Sequence, residues 1–313
     1  MNKSNTSILE LLDSIVAVHG EMVPQHGEDS FMVRVNEKMM IAGVFDGCGG
    51  LGAKKYPEFN NHSGAYLASR IVSGVVLDWF NGLENVNIGD NCNDELKMLI
   101  KKALRLYGKK VVTKSKFKGS MSKDLPTTAA FSLCIPTEHK IAVRYFWTGD
   151  SRGYLLTQKG LEQMTQDDIF GEDAMSNLKN DGILTNVISD SADFELHEKD
   201  IECEVPCIVI NSTDGCFQYL PSPMHFEYII LLTMLQSKSI AEWEERLLTA
   251  IRKVSGDDHT LTMGIFGYGS FNELKRCYIK RMNYLEQNYI KGWEEQSEEY
   301  HNALWDKYQE ELR

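Results

Sequence analysis

Apolar residues in this chain fall mainly in short β-branched runs separated by turn formers. They predict strands over 14–19, 31–35 and 39–45, then 129–135, 141–148 and 153–157, and finally 201–211 and 261–266. The stretch from Trp147 to Tyr154 carries Gly149-Asp150-Ser151 at its centre and predicts a hairpin. Helical spacing takes over at 63–80, through Tyr66, Leu67, Ile71, Val75, Val76 and Trp79, and at 94–112, through Leu96, Ile100, Leu104 and Tyr107. A helical pair follows over 226–236 and 240–254. Strands that succeed one another without an obligatory intervening helix predict antiparallel sheets flanked by helices.

The last stretch has a different pattern. Leu274, Tyr278, Met282, Leu285, Tyr289 and Trp293 repeat at spacings of three and four, continued by Tyr300, Leu304, Tyr308 and Leu312. Only Gly292 interrupts them. This predicts an amphipathic C-terminal helix with an aromatic stripe, and divides the chain into a domain over 1–267 and a helical extension over 268–313. Three uses of 271–312 stay open: packing back on its own domain, self-association, or binding a partner.

At 313 residues the chain can bury a large core. Its net charge of -12 excludes a general nucleic-acid binder, which needs a basic face. The basic run Lys101, Lys102, Arg105, Lys109, Lys110, Lys114, Lys116 and Lys118 reads as a solvated outer face. No uncharged run reaches membrane-spanning length, and the apolar stretch 8–18 is broken by Glu10 and Asp13, unlike a signal peptide. The seven cysteines are odd in number and irregularly spaced; Cys203 and Cys207 are the closest pair, with nothing nearby to complete a zinc site. Reduced thiols in a cytoplasmic protein without a membrane partner are the simplest account.

Four acidic clusters stand at the ends of strand-like runs: Gly27-Glu28-Asp29-Ser30, Asp46-Gly47-Cys48-Gly49-Gly50, Ser212-Thr213-Asp214-Gly215 and Gly256-Asp257-Asp258-His259-Thr260. Carboxylates brought together raise one another's pKa unless a cation holds them. Hard divalent ions such as Mg²⁺ and Mn²⁺ supply that charge and prefer oxygen ligands. The clusters therefore predict a carboxylate-bound metal centre, and two ions in such a centre suit the hydrolysis of phosphate esters.

In order and context these clusters resemble the metal-dependent protein serine/threonine phosphatases of type 2C (PPM), particularly bacterial members, over about 21–267. The resemblance rests on Glu28-Asp29, Asp46-Gly47-Cys48-Gly49-Gly50, Pro126-Thr127-Thr128, Gly149-Asp150-Ser151-Arg152, Met164-Thr165-Gln166-Asp167, Ser212-Thr213-Asp214-Gly215 and Asp257-Asp258-His259-Thr260. It implies an α+β fold, a four-layer α-β-β-α sandwich of two antiparallel sheets flanked by helices, with the site at one end. It also implies that Asp46 bridges two Mg²⁺ or Mn²⁺ ions. Asp214 and Asp257 would hold one ion, the Gly47 carbonyl the other, and Glu28 and Asp29 would act through metal-bound waters. The implied activity is removal of phosphate from phosphoserine and phosphothreonine in proteins, opposing a serine/threonine kinase in signalling.

The chain departs from the pattern in two places. Cys48 occupies the position where many eukaryotic relatives have histidine, and Met22-Val23-Pro24-Gln25-His26 offers no arginine for the substrate phosphate. Lys54 and Lys55, in an insertion after Gly50, are the candidate replacements. Asp124 is a candidate for a third metal. The Gly149–Arg152 element reads as structural. The rival reading is a catalytically weak or inactive phosphatase-like module that senses or scaffolds through its C-terminal helix. The intact Asp46, Asp214 and Asp257 oppose it.

Overall fold

The strands at 40–45, 129–136, 152–157, 207–212 and 259–266 are covered on both faces, which is why they lack a polar, solvent-facing alternation. The computed structural model describes residues 7–83, 92–110, 124–137, 140–170, 175, 183–191 and 193–313. Lys114, Lys116, Lys118 and the side chains of Lys109 and Lys110 lie outside the described residues. The strands are β1 (Leu12–Gly20), β2 (Ser30–Val35), β3 (Met40–Phe45), β4 (Lys55–Tyr56), β5 (His62–Ser63) and β6 (Ala129–Pro136). They continue with β7 (Lys140–Thr148), β8 (Arg152–Thr157), β9 (Gly160–Gln163), β10 (His197–Glu204), β11 (Cys207–Ser212) and β12 (His259–Phe266). Two five-stranded antiparallel sheets result, ordered β1-β12-β11-β8-β9 and β10-β7-β6-β3-β2, beside a small β4-β5 hairpin.

The helices are α1 (Ile8–Leu11), α2 (Gly49–Gly52), α3 (Gly64–Asn81), α4 (Cys92–Lys110), α5 (Pro223–Gln236), α6 (Ile240–Arg252), α7 (Phe271–Leu285) and α8 (Glu298–Leu312). Ser63, Ser239, Ser270 and Ser297 cap α3, α6, α7 and α8 by accepting a hydrogen bond from a first-turn amide. Alternation within each strand sorts side chains into layers. Cys207 and Val209 pack between the sheets with Met40, Ala42, Val143 and Phe266, whereas Ile208 and Ile210 pack outward against α5 to α7. On the opposite side Ile41, Phe45, Phe131 and Phe146 meet Val72, Val76 and Phe80 of α3 and Leu96 and Ile100 of α4. This is the expected α-β-β-α sandwich.

Two local expectations are corrected. The Gly149 turn is no hairpin: Thr148 ends β7 in one sheet and Arg152 opens β8 in the other. Gly149, at φ 89°, reverses the chain as a hairpin glycine would, so the two cases share one sequence signal. The run 201–211 is likewise two strands, since β10 and β11 belong to different sheets and Val205-Pro206 carries the crossing. The charged start of β10 (Glu198, Lys199 and Asp200) hid its extent, because an edge strand favours such residues.

The C-terminal pattern is not one helix. α7 widens into a π turn over Glu286–Ile290, Gly292 at φ 77° ends it, and α8 follows a short 3₁₀ turn. Of the three uses left open, the stripe packs back on its own domain. Tyr278, Met282, Leu285, Tyr289, Trp293 and Tyr308 join the buried cluster that covers the outer face of the β1-β12-β11-β8-β9 sheet. A buried ion pair fixes it there: Arg281 donates to both oxygens of Glu227 on α5, at 2.7 and 2.8 Å. The Tyr308 hydroxyl donates to Glu227 Oε2 at 2.6 Å and accepts from the Leu161 amide at 3.2 Å.

Candidate functional site

Glu28 precedes β2, Asp46 follows β3, Asp150 lies between β7 and β8, Asp214 follows β11, and Asp257-Asp258 precede β12. The antiparallel register gathers these strand ends at one end of the sandwich. Ser30 pairs with Phe45, Ala129 with Thr148, and Ser212 with both Arg152 and Leu261. A cavity of about 270 Å³ opens there, lined by all six carboxylates together with residues 47–50 and Leu184. No lysine or arginine among the described residues lines it.

Neutral donors and one arginine hold the turns in place. The Thr128 amide and the Thr127 hydroxyl donate to the Asp46 carbonyl at 2.8 and 2.6 Å. Asp258 accepts the amides of Met22 and Glu28, both at 2.7 Å, and so ties the 22–28 loop to the start of β12. Ser63 donates through its hydroxyl to Glu28 Oε1. The Arg70 guanidinium donates to the carbonyls of Gly27 and Glu28 at 3.1 and 3.3 Å, clamping that segment onto α3. Two glycines permit close approach: a Cβ on Gly49 would stand 2.1 Å from Glu28 Oε2, and one on Gly215 would stand 1.9 Å from the Asp258 carbonyl.

The charges are under strain. Burial, and then the neighbouring Asp214, Asp29, Asp150 and Asp257, push Asp46 well above the usual carboxylate range. Burial followed by Asp150, Asp257 and Asp29 does the same to Asp214. Asp150 is pushed up to about 6, chiefly by burial and then by Asp167. Burial also raises Glu28 and Asp257. Asp150 Oδ1 is buried with no hydrogen-bond partner.

The carboxylate donors around the cavity are hard oxygens, the kind a divalent ion such as Mg²⁺ prefers. Among the described residues, no group of three His, Cys, Asp or Glu side chains is arranged to grip an ion unaided. Mg²⁺ seldom sits in such an all-protein cage; it keeps several waters and takes one or two carboxylates. A cavity walled by hard oxygen donors, one of them a buried oxygen without a partner, fits that requirement.

Of the residues singled out from sequence, Glu28, Asp46, Gly47, Asp214 and Asp257 line the cavity. Asp29 lies beneath it, 1% exposed, accepting the hydroxyls of Thr213 and Thr260 at 2.9 and 2.8 Å; burial raises it to about 7. Lys54 and Lys55 do not line the cavity. Lys54 stands 3.9 Å from Asp124 and over the Tyr56 ring, and Lys55 is exposed on β4. Asp124, turned to Lys54 and Tyr56, does not line the cavity either. Sequence reasoning did not place Asp150 or Asp258 there. The Gly-Asp-Ser-Arg element was the available signal for Asp150, and adjacency to Asp257 the signal for Asp258.

No protein-family model matches the chain, and no curated protein sequence does. Solved structures do. The chain is similar to a bacterial serine phosphatase (17% identity, TM-score 0.58), with 81% of this chain and 98% of that one covered. It is similar to serine/threonine phosphatase Stp1 from Staphylococcus aureus (18%, TM-score 0.57), with 82% and 97% covered. The catalytic domain of serine threonine protein phosphatase PstP, solved in complex with two manganese ions, matches at 18% identity and TM-score 0.51, with 82% and 98% covered. The likeness is one of fold.

Proposed function

We propose that this chain is a metal-dependent phosphomonoester hydrolase that removes phosphate from phosphoserine and phosphothreonine in proteins. The observation that carries this reading is the convergence of Asp46, Asp214 and Asp257 from three separate strand ends on one cavity without a lining cation. The fold it shares with bacterial serine/threonine phosphatases, one of them solved with two manganese ions, supports the choice of reaction and of Mg²⁺ or Mn²⁺. A phosphorylated protein as substrate, and a kinase in opposition, follow from the same likeness.

In this reading Asp46, Asp214 and Asp257 hold two ions, with the Gly47 carbonyl and the unpartnered Asp150 oxygen as further donors. Such ions, when bound, supply an ionised water and offset the charge that develops on the transferring phosphoryl group. Glu28, seated by Ser63 and by the Arg70 clamp, orients solvent at the cavity wall. Asp29 works from below, holding Thr213 and Thr260 and thereby the turns that present Asp214 and Asp257.

The lack of a lining lysine or arginine among the described residues favours a second reading, a phosphatase-like module of weak or no activity. Because most of the aromatic stripe is buried against the outer face of the β1-β12-β11-β8-β9 sheet, such a module would recognise partners through the outer faces of α7 and α8, where Tyr300 is exposed.

The deciding experiment measures hydrolysis of an aryl phosphate and a phosphothreonine peptide, with and without Mn²⁺, by wild type and Asp214→Asn. Thermal unfolding is followed in parallel. The hydrolase reading expects Mn²⁺-dependent turnover, a loss on the order of 100-fold in the variant, and a Mn²⁺-induced rise in Tm that the variant reduces. A rise in Tm without turnover would favour the inactive module. Neither response would remove the metal from both readings.

A further inference from the structure

The end of the sandwich remote from the acidic cavity holds a second chemical feature. There β10 ends at Glu204, opposite Lys140 at the start of β7, and β11 begins at Cys207, opposite Phe266. Val205-Pro206 is all that separates the two strands, which belong to different sheets. This crossing brings the sulfurs of Cys203 and Cys207 to 3.4 Å, within thiol hydrogen-bond range. Both are free thiols; Cys207 is fully buried and Cys203 is 8% exposed. We infer that Cys203 and Cys207 form an oxidisable dithiol, a site at which a hydroperoxide installs an intramolecular disulfide joining the two sheets.

A disulfide holds its sulfurs at about 2.05 Å, so the pair must close by about 1.4 Å, a distance that side-chain rotation can supply. The two thiols are also chemically unequal. The thiolate is the reactive form of cysteine. The contact between the two sulfurs, in which either can donate, lowers the Cys203 pKa and, followed by burial, raises Cys207. Cys203 is also the more exposed thiol, and that exposure assigns the order of events.

The Cys203 thiolate attacks one oxygen of hydrogen peroxide, the O–O bond breaks, and hydroxide leaves to take up a proton, giving a sulfenic acid. The Cys207 sulfur then attacks the Cys203 sulfur; the S–O bond breaks, and the hydroxyl departs as water with the Cys207 proton. Two thiols lose two electrons in all, and one peroxide becomes two waters. Cys134 lies in the same inter-sheet cluster and is the competing partner that an experiment must separate.

The sequence supplies a direct assay, because Glu204 lies between the two cysteines. The full wild-type chain, free of added metal, is treated with hydrogen peroxide, blocked with iodoacetamide in denaturant, and cut after glutamate. The expected product is the Cys203 peptide joined to the Cys207 peptide, lighter by two hydrogens than their sum and separated by dithiothreitol. Cys134→Ser should leave that species in place and Cys203→Ser should abolish it. The oxidised wild type should also unfold several degrees higher than the reduced form, reversibly. Recovery of both residues alkylated or as sulfinic acids would overturn the inference, as would a Cys203–Cys134 link. The wild-type mass spectrum decides this without relying on any variant to fold.

Discussion

Arg281→Met tests the buried ion pair that fastens the C-terminal helices, although Arg281 also lies 3.8 Å from the partly exposed Glu311. Glu227 is fully buried and receives two guanidinium donors at 2.7 and 2.8 Å and the Tyr308 hydroxyl at 2.6 Å. Methionine keeps much of the arginine stem's volume, so the cavity created is small and the effect is mainly electrostatic. An intact buried pair is worth little against apolar replacement, because desolvation offsets attraction; half a pair leaves an uncompensated charge and costs about 3–5 kcal/mol. The cost should spread to α8, since the same Tyr308 hydroxyl accepts the Leu161 amide. Adding Glu227→Gln replaces the orphaned carboxylate with a neutral amide that still accepts from Tyr308. The double variant should come back to within about 1–2 kcal/mol of wild type. Urea unfolding followed by tryptophan fluorescence reports on this directly, because Trp293 and Trp305 lie in the extension. The expected order of midpoints is wild type, double variant, then Arg281→Met. If the single variant loses less than about 1 kcal/mol, or the double is no better than the single, uncompensated charge is not the cause.

Two further outcomes follow from the geometry. His225 bonds the Ser222 hydroxyl through Nδ1 at 2.8 Å and meets the Trp293 ring edge-on at 5.1 Å; burial first, and then His301, lowers it from 6.5 to about 4. Folding thus favours the neutral imidazole: its contribution is complete above about pH 6.5 and is lost as the pH falls through about 4, so moving from about pH 8 to about pH 5 should cost about 2 kcal/mol. His225→Leu should flatten the stability–pH slope by that amount, and parallel slopes in wild type and variant would refute the assignment. Gly49→Ala places a methyl 2.1 Å from Glu28 Oε2 and must displace that carboxylate. Under the hydrolase reading kcat/KM should fall by about 100-fold, the scale of a misplacement of roughly 1 Å, with little change in Tm; unaltered turnover would show that Glu28 has no part in the chemistry.

The layers of the fold were legible because they depend on periodicity. Val209 and Ile210 face opposite covered sides, so their run carries no polar alternation and reads as a buried strand. The sheet crossings were not legible. Gly149 satisfies a hairpin and a crossing equally well, and nothing local to Val205-Pro206 states that the partner of β11 is β12 while that of β10 is β7. The same ambiguity governed the site. Asp46, Asp214 and Asp257 were identifiable from the motifs that contain them, whereas Asp150 became a cavity residue only once its turn was seen to pass between sheets. Lys54 was a plausible phosphate ligand by proximity in sequence. The β4-β5 hairpin instead carries it towards Asp124. Asp29, adjacent to Glu28, points the other way, because successive residues entering a strand face opposite sides.

The choice of donors around the cavity bears on which reading of the site is correct. A cluster of carboxylates that served only the fold would be expected to recruit arginine or lysine, since burying like charges together is unfavourable without compensation. Apart from the Arg70 clamp on the 27–28 backbone, the hydrogen bonds that fix these turns come instead from neutral groups: the hydroxyls of Ser63, Thr127, Thr213 and Thr260 and the amides of Met22, Glu28 and Thr128. The two arginines that come near give their hydrogen bonds to groups other than the cavity carboxylates. Arg70 gives its donors to carbonyl oxygens, and Arg152 is paired with Asp167 at 2.7 Å beneath the Phe217 ring. Neutral donors hold the turns without neutralising them. Under the hydrolase reading the excess negative charge awaits an entering cation, which would relieve the repulsion that raises Asp46 and Asp214. A scaffold with no use for metal gains nothing from that arrangement, and this is the ground on which the hydrolase reading is proposed over the inactive one.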